Sequence, residues 1–153
     1  MSESTLAETA CMNLQVLRVS HYVLKCFDEA YREHGVRATQ IPVLMQLRGR
    51  AEATVREVAT ALESERSVMF RKLRILAERG WVQELPRDNG RERRYTLTQE
   101  GEALLTRTEP ARTAVQDRLF GRLSEAEQGL LLSLCARLQG IEEVEPLSPS
   151  EQE

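Results

Sequence analysis

Residues 54–98 read TVREVATALESERSVMFRKLRILAERGWVQELPRDNGRERRYTLT. The stretch opens on Thr54-Val-Arg-Glu57, a hydroxyl followed three residues later by a carboxylate, ahead of Val58, Ala59 and Leu62. That pattern is a capping box and predicts a short helix over about 55–62. Ser64 is placed to cap the next helix, which carries Met69, Leu73 and Leu76 on one face and stops at Gly80. Helix, tight turn and longer helix is the helix-turn-helix arrangement. After Gly80 the period changes from helical to alternating. Residues 81–85 and 93–97 read as two short strands around Asn89-Gly90, the dipeptide that best supplies positive φ to a hairpin turn. A hairpin directly after a helix-turn-helix makes a wing.

The flanks are helical. From Cys11 to Tyr31, Leu14, Leu17, His21, Leu24, Tyr31 and Val16, Val23, Phe27, Ala30 form two apolar stripes uninterrupted by Gly or Pro, predicting one helix over about 8–33. Ile41 to Leu47 predicts a further helix with Thr39 as its cap. Thr98 starts another that runs to about 122 through Pro110. Ser124-Glu-Ala-Glu127 is a second capping box, opening a last helix with Leu131, Leu134, Leu138 and Ile141. The fold class expected is mainly α (α+β): a winged helix-turn-helix lobe over 38–97, flanked by N- and C-terminal helices. Residues 8–34 and 98–141 form the helical dimerisation region, and 142–153, rich in Glu and Pro, a disordered acidic tail. Two copies can interlock such wide apolar faces, which one chain of this length has little to bury; a monomeric bundle is the alternative.

The chain has 153 residues, 41% hydrophobic and 29% charged, with net charge −3. No apolar run approaches the ~20 residues that span a bilayer, and Met1 to Ala10 lacks the basic start of a secretory signal. Three cysteines without a CxxC pair speak against a disulfide framework or a zinc site and fit a reducing, cytoplasmic setting. With two histidines, no Gly-rich phosphate loop and no GxSxG motif, neither an enzyme nor a cofactor or metal is expected. Residues 65–94 hold nine basic and five acidic side chains, so a lobe of +4 sits in a chain whose remainder is −7. Such asymmetry suits a partner made of phosphates.

On the helix at 65–79, Arg66, Ser67, Phe70, Arg71 and Arg74 lie opposite the Met69, Leu73, Leu76 face. A helix fits the major groove, where arginine pairs with guanine O6/N7 or with phosphate and serine donates to either. Phe70 there meets a thymine methyl or tucks against a neighbouring helix. Arg91, beyond Asn89 and Gly90, is aimed at a minor groove, and Arg93 at phosphate.

These residues resemble the MarR family. Val55-Arg-Glu-Val-Ala-Thr-Ala-Leu62 resembles its first helix-turn-helix segment, and Glu65-Arg-Ser-Val-Met-Phe-Arg71 its recognition helix. Leu76-Ala-Glu-Arg-Gly-Trp-Val82 resembles the "LExRGLV" run before the wing, and Asn89-Gly-Arg91 with Leu97-Thr-Gln-Glu-Gly101 resembles "DxR…LTxxG". Cys11-Met-Asn-Leu14 with Phe27-Asp-Glu-Ala30 resembles a branch with an early cysteine. The resemblance implies a homodimeric transcriptional regulator that binds an inverted repeat in double-stranded DNA. It further implies release by a small phenolic or lipophilic ligand, or by cysteine oxidation. Its effector pocket would lie between the dimer platform and the winged lobe, where Arg18, His21 and Tyr22 are candidates. Cys11 is the redox candidate; at 1.5 Å per residue it stands ~22 Å from Cys26 along one helix, too far for a bridge within the chain. Two departures are Asn89 at the wing aspartate and Phe70 at a usually polar recognition position. The repressor reading has one rival, a winged helix that presents its faces to proteins and binds no DNA.

Overall fold

The computed structural model describes residues 11–86 and 92–140. Arg87, the Asn89, Gly90, Arg91 tip, residues 8–10 of the expected first helix, Ile141 and the acidic tail lie outside the described residues. The elements run α1 (Met12–Ala30), a 3-10 turn (Arg32–His34), α2 (Ile41–Leu47), β1 (Ala53–Thr54), α3 (Val55–Ala61) and α4 (Arg66–Glu78). They continue with β2 (Val82–Glu84), β3 (Arg94–Leu97), α5 (Gln99–Phe120) and α6 (Glu125–Leu138). Two compact units divide the chain after Val115.

Local chemistry explains most boundaries. Both capping boxes form: Thr54 accepts from the Glu57 N–H and Ser124 from the Glu127 N–H, while each glutamate takes the cap's own N–H. Two expected caps are not used. Glu65 and not Ser64 precedes α4, without a side-chain bond; the Ser64 N–H instead donates to the Ala59 carbonyl and closes α3. Gln40 and not Thr39 precedes α2. The turn between α3 and α4 holds Glu63 at φ 45°, in the left-handed region that glycine occupies with less strain. α1 ends at Ala30, short of 33, because the chain tightens into the 3-10 turn and reverses at Gly35.

A strand too short to show periodicity joins the hairpin. The sheet order is β1-β3-β2, all antiparallel, with Ala53 opposite Tyr95, and Val82, Gln83, Glu84 opposite Leu97, Thr96, Tyr95. Thus β1 ties the start of α3 to the wing. In the first unit, Val43, Leu44, Val58, Met69, Leu73, Leu76, Tyr95 and Leu104 are fully buried in one cluster. Each such side chain contributes about 1.5–3 kcal/mol. α5 leaves the wing over this core. The Thr98 hydroxyl donates to the Gly80 carbonyl at 2.6 Å and accepts from the Gly101 N–H at 3.0 Å. A Cβ on Gly101 would press into the Trp81 carbonyl and lie 2.7 Å from Leu97 Cδ1. α5 continues through Pro110, with the Thr108 hydroxyl donating to the Leu104 and Leu105 carbonyls. In the second unit Ala136 alone is buried among the described residues.

Two predictions follow from the joints. Gly101→Ala should lower unfolding free energy by about 1–3 kcal/mol in a urea titration, because backbone must move to admit the methyl; an unchanged midpoint would refute the close approach. The backbone N–H of Thr54 and that of Ser124 hold Glu57 and Glu127 below the usual carboxylate range. A depressed carboxylate stabilises above its unfolded pKa, so that contribution is lost as pH falls through the carboxylate range. Thermal melts should show a smaller acid-induced loss for Glu57→Gln than for the wild type.

Candidate nucleic-acid interface

The buried face of α4 decides what its other face presents. Met69, Leu73 and Leu76 recur at i, i+4 and i+7 and are 0% exposed. At 100° per residue this leaves Arg66, Ser67, Arg71 and Arg74 exposed, as the sequence reading placed them. Phe70 is different. It lies at the edge of the buried stripe, is half-buried and packs on the core cluster. Its ring carries the Arg93 guanidinium at 4.9 Å from the centroid. Phe70 thus does not stand free: it packs on the core and carries Arg93.

The basic residues divide by their partners. Arg66 lies 3.2 Å from Glu92 Oε1, an ion pair without hydrogen-bond alignment. Arg74 pairs with Glu78, one turn on, at 3.4 Å. Arg94 pairs with Glu52 at 2.6 Å. Arg79 lies over the Trp81 ring and donates to the Gly35 carbonyl. Arg93 Nη1 donates to both oxygens of Glu84, at 2.8 and 2.9 Å. The Tyr95 hydroxyl donates to the same carboxylate at 3.3 Å. Burial, and then the Glu84 charge, push the Tyr95 phenol above its ordinary range. Arg71 and Lys72 have no ion-pair partner among the described residues. Among the described residues the cations of α4 and of the strands are therefore tempered by Glu52, Glu78, Glu84 and Glu92, while Arg71 has no ion-pair partner.

Sequence reasoning missed Glu84 and Glu92. A signal for Glu84 was present: counting back from a turn centred on Asn89-Gly90 sets residue 84 opposite Tyr95. Alternation then puts Arg93, two residues before Tyr95, on the same face. Nothing in the pattern pointed to Glu92.

Arg18, His21 and Tyr22 are all exposed on α1. His21 borders a groove of about 630 Å³ whose wall includes Lys25, Asp28, Arg32, Val36 and Arg37; Arg18 and Tyr22 do not line it. Asp28 accepts the Ala38 N–H at 2.7 Å and pairs with Arg37 at 3.7 Å. Cys11 is the exposed N-cap of α1, Cys26 is buried and Cys135 is exposed. Among the described residues no group of three metal-ligating side chains comes together, and no helix is long and apolar enough to cross a membrane.

Residues 34–93 match the model of the MarR family. A curated relative, an uncharacterised HTH-type transcriptional regulator of Bacillus cereus, is 25% identical over 126 residues, covering 82% of this chain and 84% of that protein. A solved structure of a mutant MarR from E. coli complexed with operator DNA is similar at TM-score 0.77 and 23% identity, covering 86% of this chain and 95% of that one. CouR from Rhodococcus jostii RHA1 bound to p-coumaroyl-CoA is similar at TM-score 0.75 and 22% identity, covering 90% and 97%. The solved structures share the winged helix-turn-helix fold. Residues 34–93 are thus similar to the MarR family, and most of the chain's length has the fold of these solved structures.

Proposed function

We propose that the chain is a homodimeric, sequence-specific repressor that covers an inverted repeat in a promoter and is released by a small ligand or by thiol oxidation. The observation that carries the DNA reading is the exposed Ser67, Arg71, Arg74 face of α4, held beside the wing strands. Arg71 and Ser67 would reach base edges or phosphates in the major groove. Arg66 and Arg74 flank them, and Arg91 with Asn89 and Gly90 would serve the minor groove. The E. coli relative bound to operator DNA supports this reading.

The dimer is supported by apolar surface that a single chain leaves wet. On α1, Met12, Val16, Leu17, Val19 and Tyr22 are exposed, Met12 at 72%. On α6, Leu130, Leu131, Leu132, Leu134 and Leu138 are exposed, Leu138 at 76%. Contiguous patches of this kind mark association sites. Residues 8–34 and 98–141 would supply the platform and 38–97 the reading lobe, in the cytoplasm. Two-fold symmetry would then set half-sites about 10–10.5 base pairs apart. The repressor acts by occupying the promoter. An effector need supply only ~1–3 kcal/mol of coupling, since a small change in the spacing of two recognition helices spoils their register. The groove at His21, with Lys25, Arg32 and Arg37, would suit an anionic or phenolic ligand, and CouR bound to p-coumaroyl-CoA supports a ligand-responsive reading. Cys11 offers the alternative, oxidative route.

The test is binding to a duplex selected from random oligonucleotides, measured across salt concentrations. Affinity should fall steeply with salt, and Arg71→Ala should cost about 1–3 kcal/mol on the selected site. Arg91→Ala should weaken all duplexes more evenly. No affinity even at low salt would support the protein-interaction reading instead. Sedimentation should give about twice the 17.4 kDa of one chain; a monomer at binding concentrations would contradict the platform.

A further inference from the structure

Four side chains connect the sheet to the recognition helix in an unbroken series. Tyr95 is fully buried in the core and donates to Glu84 Oε2. Glu84, opposite Tyr95 across the strands, accepts both bonds from Arg93 Nη1. Arg93 lays its guanidinium over Phe70, and Phe70, half-buried, packs against the core cluster that holds Met69 and Leu73. The Arg93 and Glu84 side chains are about two-thirds shielded from solvent. In that setting a charge-assisted pair and a cation–π contact hold more firmly than on open surface. Arg93 thus has one ring-facing surface and one nitrogen engaged within the protein.

We infer that Arg93 is a positioning residue: the Glu84–Arg93–Phe70 stack locks the wing against α4, and neither Phe70 nor Arg93 is a ligand of DNA. The inference rests on the DNA-binding reading above and assigns these two residues a different part in it. Reading then falls to Ser67, Arg71 and Arg74, at a fixed angle to the wing. A rigid pair of elements loses less freedom on binding than two that move independently. The stack also gives a reason for an acidic residue next to a DNA-reading face. Glu84 repels phosphate, yet it holds the arginine that fixes the wing.

The two parts differ in the sign of one substitution. Glu84→Gln removes a negative charge from the DNA-binding lobe. If Arg93 were a phosphate ligand restrained by Glu84, the change would free it and tighten binding. If Arg93 positions the wing, the change weakens binding. Wild type, Glu84→Gln, Arg93→Met, Arg93→Lys and the double variant Glu84→Gln/Arg93→Met are compared by fluorescence anisotropy. The probe is a duplex selected with the wild-type protein, titrated at several KCl concentrations, with circular dichroism on every sample. The expected result is a three- to tenfold, order-of-magnitude loss for Glu84→Gln and for Arg93→Met, about the size of one such contact. The salt slope should stay that of the wild type, and the double variant should be about as weak as either single one. Arg93→Lys keeps the charge but not the planar fork, so it should not restore affinity. Tighter binding by Glu84→Gln, a salt slope reduced by about 0.9 in Arg93→Met, or near-wild-type affinity of Arg93→Lys would each overturn the inference. Arg93→Lys decides the matter if Arg93→Met unfolds. Wild-type protein that selects no duplex would instead defeat the DNA reading itself.

Discussion

The insertion of Met69, Leu73 and Leu76 into the core is the constraint on which the rest of the first unit depends. Those three side chains fix the rotation of α4, and rotation alone determines which residues can meet a partner. A helix turned by one residue would swing its exposed side chains by 100° and bring Phe70 or Lys72 into the place of Arg71. The surrounding elements hold that rotation from several sides. The capping box at Thr54 starts α3 where β1 ends, and α3 packs on α4. Gly101 lets α5 approach the end of α4 at Trp81. The exposed face of α4 is the outside of a well-packed core, and its geometry is inherited from the inside.

Much of this was legible in the sequence because it rests on short-range rules. The capping boxes, the Met69, Leu73, Leu76 stripe and the Asn89-Gly90 hairpin signal each use residues within a few positions of one another. The exposed set Arg66, Ser67, Arg71 and Arg74 followed from the same stripe. What escaped depends on pairing at a distance. β1 has two residues and no period to detect. Ser64 and Thr39 have the right chemistry for caps, yet Glu65 and Gln40 stand at the helix starts, and the Ser64 N–H closes α3 on the Ala59 carbonyl. Phe70 reads as solvent-facing when the helix is divided into two faces. In the fold it stands on the border between them, and its partner Arg93, just before β3, is 23 positions away. The acids Glu84 and Glu92 look like ordinary surface charge until the fold brings Arg93 and Arg66 against them.

The electrostatics of the lobe are accordingly finer than its net charge suggests. A count of cations implies a uniform basic field, whereas the structure divides them by task. Arg93 and Arg94 pair with the carboxylates of Glu84 and Glu52, Arg79 covers Trp81, and Arg71 has no ion-pair partner among the described residues. Pairs as exposed as Arg74 with Glu78 contribute little to stability. They can exchange a carboxylate for a phosphate at small cost, while a pair backed by Tyr95 and Phe70 gives way less readily. The same division extends to apolar surface: α1 and α6 each leave several large apolar side chains exposed, whereas α4 buries Met69, Leu73 and Leu76.

The most direct test of the account is a crystal structure of the chain on a selected duplex. The account predicts α4 in the major groove, with Ser67 and Arg71 within hydrogen-bond distance of bases or phosphates and Phe70 still beneath Arg93. A duplex lying on any other face of the lobe, or Phe70 swung out to meet a base, would contradict it.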